Sequence, residues 1–166
     1  MSNVIKANPE YSGTDQPAVI GKIYEQLFTD SSGNDLVRYL RCFKAGSAVT
    51  KGQVVGSLLA AGPAMHTTGS CKPAETVSSE KQNIMGVALA TVASGSYGFC
   101  VCRGVVEGVS ALAGITIGEL VQVGATDGSV DDIALDASIT AESNKIIGMA
   151  LTAFSSDAIT MYINVL

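Results

Sequence analysis

Ala48-Val49-Thr50-Lys51-Gly52-Gln53-Val54-Val55 is answered 66 residues later by Gly114-Ile115-Thr116-Ile117-Gly118-Glu119-Leu120-Val121. The shared pattern, apolar-Thr-x-Gly-x-apolar-Val, describes a strand that ends in a tight turn and restarts. Gly52 and Gly118 supply the positive-φ turn position without steric cost, and the flanking Val, Ile and Leu residues fill a core. A second match lies downstream, where Ile84-Met85-Gly86-Val87-Ala88-Leu89 is followed 62 residues on by Ile146-Ile147-Gly148-Met149-Ala150-Leu151. Gly86 and Gly148 sit inside apolar runs, where an isolated glycine marks a bulge or a close backbone approach. Each copy closes with an alternating strand, Tyr97-Gly98-Phe99-Cys100-Val101-Cys102 in the first and Ile159-Thr160-Met161-Tyr162-Ile163 in the second.

Working outward, short β runs are punctuated by glycine every 8–12 residues or so, the spacing of a sandwich or barrel. The reading is an all-β fold, a compact β-barrel or sandwich built from two related units, residues 48–102 and 114–163, within a β domain over residues 36–166. Helix signals are confined to the stretch from Pro73 to Glu80 and a short turn between Ala134 and Ser143. Residues 1–35 differ in kind, being rich in Asn, Pro, Ser and Asp with isolated large apolar residues, and they read as an extended N-terminal arm. Asp30-Ser31-Ser32-Gly33-Asn34-Asp35 is a turn, and Leu36 to Phe43 alternates as a strand does.

The chain has 166 residues, of which 47% are hydrophobic and 15% charged, against about 25% charged in an average soluble domain. Its apolar mass is fine-grained, with 20 Ala, 18 Gly and 17 Val and no Trp. This excludes disorder and, through the glycines, a long coiled coil. A net charge of −5 without a basic patch argues against nucleic acid as partner. The charge is uneven: residues 1–103 carry nine basic and seven acidic groups (+2), residues 104–166 one basic and eight acidic (−7). Ile84 to Cys102 is a run of 19 residues without charge, close to the length of a membrane span. Its Gly86, Ser94-Gly95-Ser96 and Gly98 make it strand, turn and strand, so no membrane is expected. Met1 to Glu10 offers no apolar targeting segment, so synthesis is expected in a cytoplasm. Cys42, Cys71, Cys100 and Cys102 are expected there as reduced, packed thiols.

The search for chemistry leaves catalytic, cofactor and metal residues as none, and the chain is expected not to be an enzyme. His66 is the single histidine, and no Gly-x-Ser-x-Gly elbow or phosphate-binding glycine loop occurs. Cys100-x-Cys102 is too tight for a zinc pair, and Cys42 and Cys71 form no second one. Asp30, Ser32 and Asn34 mimic the first ligands of a calcium loop, but Asp35 holds the glycine position and Arg41 the closing glutamate position.

Gly46 to Val55 looks like the first hairpin of biotinyl and lipoyl carrier domains. Such a carrier needs a swinging lysine in an Ala-Met-Lys-Met or Asp-Lys-Ala context, whereas Lys81 stands in Ser79-Glu80-Lys81-Gln82. A closer resemblance is to the small decoration, or cement, proteins of tailed-bacteriophage heads. It is carried by Val49-Thr50-Lys51-Gly52-Gln53-Val54-Val55, by Ile84-Met85-Gly86-Val87-Ala88-Leu89-Ala90 and by Cys102-Arg103-Gly104-Val105-Val106-Glu107-Gly108, and covers about residues 43–166. The resemblance implies a β-rich structural virion protein that binds the major capsid protein on the capsid exterior, stabilises the head and associates with itself as a homotrimer. A different virion or surface-assembly module, or the carrier domain, are the alternatives. An arm with scattered large apolar residues, Val4, Ile5, Tyr11, Tyr24 and Phe28, either lies on such a partner or folds back on its own domain.

Overall fold

The computed structural model of the chain describes residues 8–58, 71–74, 82–133 and 146–165. Every regular element among these is a strand, and the eleven strands form one sheet that curls into a half-barrel, an all-β fold. The strands are β1 (Ser12–Gly13), β2 (Ile23–Thr29), β3 (Asp35–Lys44), β4 (Val54–Leu58), β5 (Cys71–Pro73), β6 (Gln82–Ala88), β7 (Tyr97–Ser110), β8 (Leu120–Val123), β9 (Val130–Asp132), β10 (Gly148–Ala150) and β11 (Ala158–Asn164). Both helix candidates fall on residues outside the described ones, apart from Pro73, which ends β5, and Ala74. The uncharged run from Ile84 to Cys102 contributes to β6 and β7, and among the described residues no helix is long and apolar enough to cross a membrane.

The two copies are wired alike. The first runs β5-β4-β6-β7-β3 and the second β9-β8-β10-β11-β7, so the 14-residue β7 closes one copy and opens the other. Registers correspond pair for pair: Val54 faces Val87 as Leu120 faces Met149, and Val55 faces Gly86 as Val121 faces Gly148. The structural repeat therefore begins one strand earlier than the sequence match, with β3 in the first copy and the second half of β7 in the second. These two strands share little sequence beyond alternation, and a bulge between Tyr39 and Leu40 shifts the register of β3 against the first half of β7.

The turn glycines hold equivalent places. Gly52 and Gly118 both have φ +86. Gly52 N donates to Ala88 O at 2.9 Å, and Gly118 N to Ala150 O at 2.9 Å. The residue after each glycine caps its turn, since Gln53 Oε1 accepts from Thr50 N and Glu119 Oε2 from Thr116 N, each at 2.7 Å. At Gly86 and Gly148 the constraint is a neighbouring strand: a Cβ there would collide with the carbonyl of Val101 or of Tyr162.

Each copy has a core face. In the first it is a separate cluster, Phe43, Ala45, Val49, Val55, Cys71, Met85, Ala88, Val92 and Cys100. The second-copy residues at the same register positions, among them Val109, Ile115, Val121, Ile147, Ala150 and Met161, join a larger cluster with the opposite face of the first copy, including Leu40, Val54, Val87 and Val101. The first copy is thus buried on both faces.

The segment read as an arm enters the sheet. β2 pairs with β3 along its whole length, from Ile23 opposite Arg41 to Thr29 opposite Asp35, and β1 pairs with β7. The joining turn is held by Asp30, whose Oδ1 accepts from Ser32 N at 3.0 Å and Asn34 N at 2.7 Å, with Gly33 at φ +86.

Candidate interaction surface

All four cysteines are buried. Burial pushes the Cys42 and Cys71 thiols up to about 11, raises Cys102, and raises Cys100 well above its ordinary value. The Cys100 thiol lies 3.4 Å from Met85 O and Cys102 Sγ 3.3 Å from Tyr39 O, so the S–H groups donate to backbone carbonyls. They are small neutral core residues rather than thiolates. Among the described residues no three His, Cys, Asp or Glu side chains are grouped as metal ligands. His66 and Lys81 lie outside the described residues.

Of the five arm residues expected at a partner surface, Val4 and Ile5 lie outside the described residues. Tyr11 and Tyr24 pack against the larger core cluster. Tyr11 Oη donates to Asp15 O at 2.8 Å, and Tyr24 meets Phe99 edge-on at 6.5 Å while its Oη accepts from Val19 N. Phe28 is half-buried beneath Arg38, whose guanidinium sits 4.2 Å from the ring centre.

Among the described residues, the exposed apolar surface is made by residues other than these five. One strip lies on the outer face of the β2–β3 hairpin, where Leu27, 67% exposed, faces Val37 across the strands, with Ile23 on the same face. The other is a row crossing four strands of the second copy: Val105 faces Tyr162, Tyr162 faces Met149, and Met149 faces Leu120. Tyr162, Met149 and Leu120 are 36–40% exposed and Val105 half-buried. The first copy has the same row in the same register, Leu40, Val101, Val87 and Val54, with every member at 0% exposure. Arg103 lies between the two strips, its Nε 3.4 Å from Tyr162 Oη and its guanidinium 5.9 Å from the centre of the Tyr39 ring. A period-two reading places Leu120, Met149 and Tyr162 on one face of each strand, but it places Val54, Val87 and Val101 likewise. Which copy is covered depends on how the sheet curls.

No family model matches the chain, and no curated protein matches it. Among solved structures it is similar to the N base of head fiber gp8.5 of bacteriophage phi29, with a TM-score of 0.49 and 17% identity, covering 75% of this chain and 92% of that one.

Proposed function

We propose that the chain is a structural, non-enzymatic subunit of a tailed-phage virion that binds the outer surface of the major capsid protein, cements the head and acts as a homotrimer. One observation carries this reading. The three stretches on which the resemblance to decoration proteins rests are the joints of the fold: the Thr50–Gln53 turn, the β6 strand around Gly86, and the shared strand β7. The likeness in glycines and small apolar residues therefore reaches positions that the backbone geometry requires, rather than composition alone. The large apolar residues left exposed on the sheet suit a protein whose work is to be covered by others.

The test is co-sedimentation of the purified chain with phage heads lacking it, before and after expansion. Saturable binding at a fixed stoichiometry is expected, with heads that then resist heating. Failure to co-sediment with either form of head overturns the reading. A chain lacking residues 1–7 tests the arm: it removes Val4 and Ile5 and leaves Tyr11, Tyr24 and Phe28 on their domain. Loss of head binding with an unchanged unfolding transition assigns the contact to that segment.

A further inference from the structure

We propose that a second copy of this chain covers the Val105–Tyr162–Met149–Leu120 row with the Leu27–Val37 strip of its own β2–β3 hairpin, so that copies join head to tail. The inference rests on the self-association proposed above and names its contact; it does not depend on a capsid being the larger partner.

The first reason is the repeat. In the first copy, the row at these register positions is completely buried, packed into one cluster with the second copy's core residues and with Ile20 and Tyr24 from the start of the chain. The second copy keeps the row apolar and makes three of its four members larger, with Leu for Val54, Met for Val87 and Tyr for Val101, while Val105 stands for Leu40. A row made only to face water has no reason to grow in apolar area, because exposed apolar surface is unfavourable relative to burial.

The turn beside the row changes in the same sense. Lys51, at the tip of the first turn, reaches Glu10 at 3.3 Å; its counterpart at the tip of the second turn is Ile117, 70% exposed. A charged tip has been replaced by an apolar one where the turn is open.

Charge favours the covering surface. The row lies in the half of the chain that carries −7, whereas the hairpin from Ile23 to Lys44 balances Glu25, Asp30 and Asp35 with Arg38, Arg41 and Lys44. Row against row would press two strongly acidic halves together; row against hairpin sets an acidic half against a neutral surface and avoids that repulsion. The two strips are distinct on the curled sheet, one at the β2–β3 hairpin and one over β7, β11, β10 and β8, with Arg103 between them. Each is thus available to a different neighbour, and a contact of this head-to-tail kind closes into a ring or extends into a chain.

The test uses two full-length variants, Leu27→Glu and Met149→Glu, both at exposed positions, each first shown to keep the wild-type unfolding transition. Sedimentation equilibrium at tens of micromolar should show wild type self-associated and each variant alone monomeric. An equimolar mixture should form dimers and nothing larger, because each pair retains one intact row and one intact strip. A monomeric wild type overturns the proposal. Undiminished association of Leu27→Glu means row meets row, undiminished association of Met149→Glu means the row is not the contact, and a mixture that stays monomeric means the two strips do not meet; each result also overturns it. None of these measurements involves heads, so their failure and a failure of capsid binding are told apart.

Discussion

Gly52 and Gly118 share one backbone state, φ +86, and one hydrogen bond, yet they differ in what lies beyond the α-carbon. A Cβ on Gly52 would strike the Gly108 carbonyl, while one on Gly118 would meet nothing within 4 Å. The difference locates the seam between the copies: the first turn is pressed against β7, where Ser110 N donates to Gly52 O at 2.9 Å, and the second faces outward.

Gly118→Ala should cost only the left-handed backbone, about 1–2 kcal/mol. Gly52→Ala carries the same cost and must also push β7 away from the turn, adding about 1–3 kcal/mol of overpacking. Urea unfolding of the two variants should separate them by that margin. Equal losses would mean that the seam yields freely.

Tyr24 ties the first hairpin to the core through its edge-on contact with Phe99 and through the hydrogen bond from Val19 N at 2.9 Å. Tyr24→Phe should lose about 0.5–1.5 kcal/mol, and Tyr24→Ala about 3–5 kcal/mol, the range for removing a packed aromatic ring. Thermal unfolding of both variants checks the order. A Tyr24→Ala protein as stable as Tyr24→Phe would mean that the β2 segment is not part of the cooperative unit.

The buried thiols make stability fall in alkali. Cys42 and Cys71 titrate near 11 in the folded chain against 9.0 as the ordinary value. The unfolded chain therefore loses these protons first, and the stability they contribute, whole below pH 9, drains away as pH rises toward 11. The full loss is about 2–3 kcal/mol per thiol. Cys71→Ala should flatten the fall in unfolding free energy between pH 9 and 11 relative to wild type. An unchanged slope would place the effect elsewhere.

Asp30 shows the opposite sign. Hydrogen bonds from Asn34, backbone first and then side chain, hold its carboxyl below the ordinary 3.8. Its contribution to the β2–β3 turn is present above that value and is lost as pH falls through the lowered one. Asp30→Ala should melt below wild type at neutral pH, with the gap narrowing in acid. A gap that does not depend on pH would mean that the carboxylate charge plays no part in the turn.

The reading of the fold rested on four glycines, and they were legible because each is demanded locally. A positive φ at Gly52 or a carbonyl against Gly86 leaves its trace in the residue itself and in its immediate neighbours. The buried, neutral thiols were legible for a similar reason, since spacing and composition already describe them. The N-terminal segment was only half legible: Tyr11, Tyr24 and Phe28 announce that they need cover, but only the pairing of β2 with β3 supplies it from the same chain.

By itself the sequence determined that this is an all-β chain made of a doubled unit with a turn glycine and a strand glycine in each copy, because periodicity and backbone sterics act over a few residues. Tertiary structure decided that one long strand serves both copies, that the repeat reaches back to β3, and that Leu40, Val54, Val87 and Val101 are sealed while Val105, Leu120, Met149 and Tyr162 are left open. Those outcomes depend on which way a sheet curls and which element lies across it. Two rows of the same pattern in the same register carry no local mark of what will cover them.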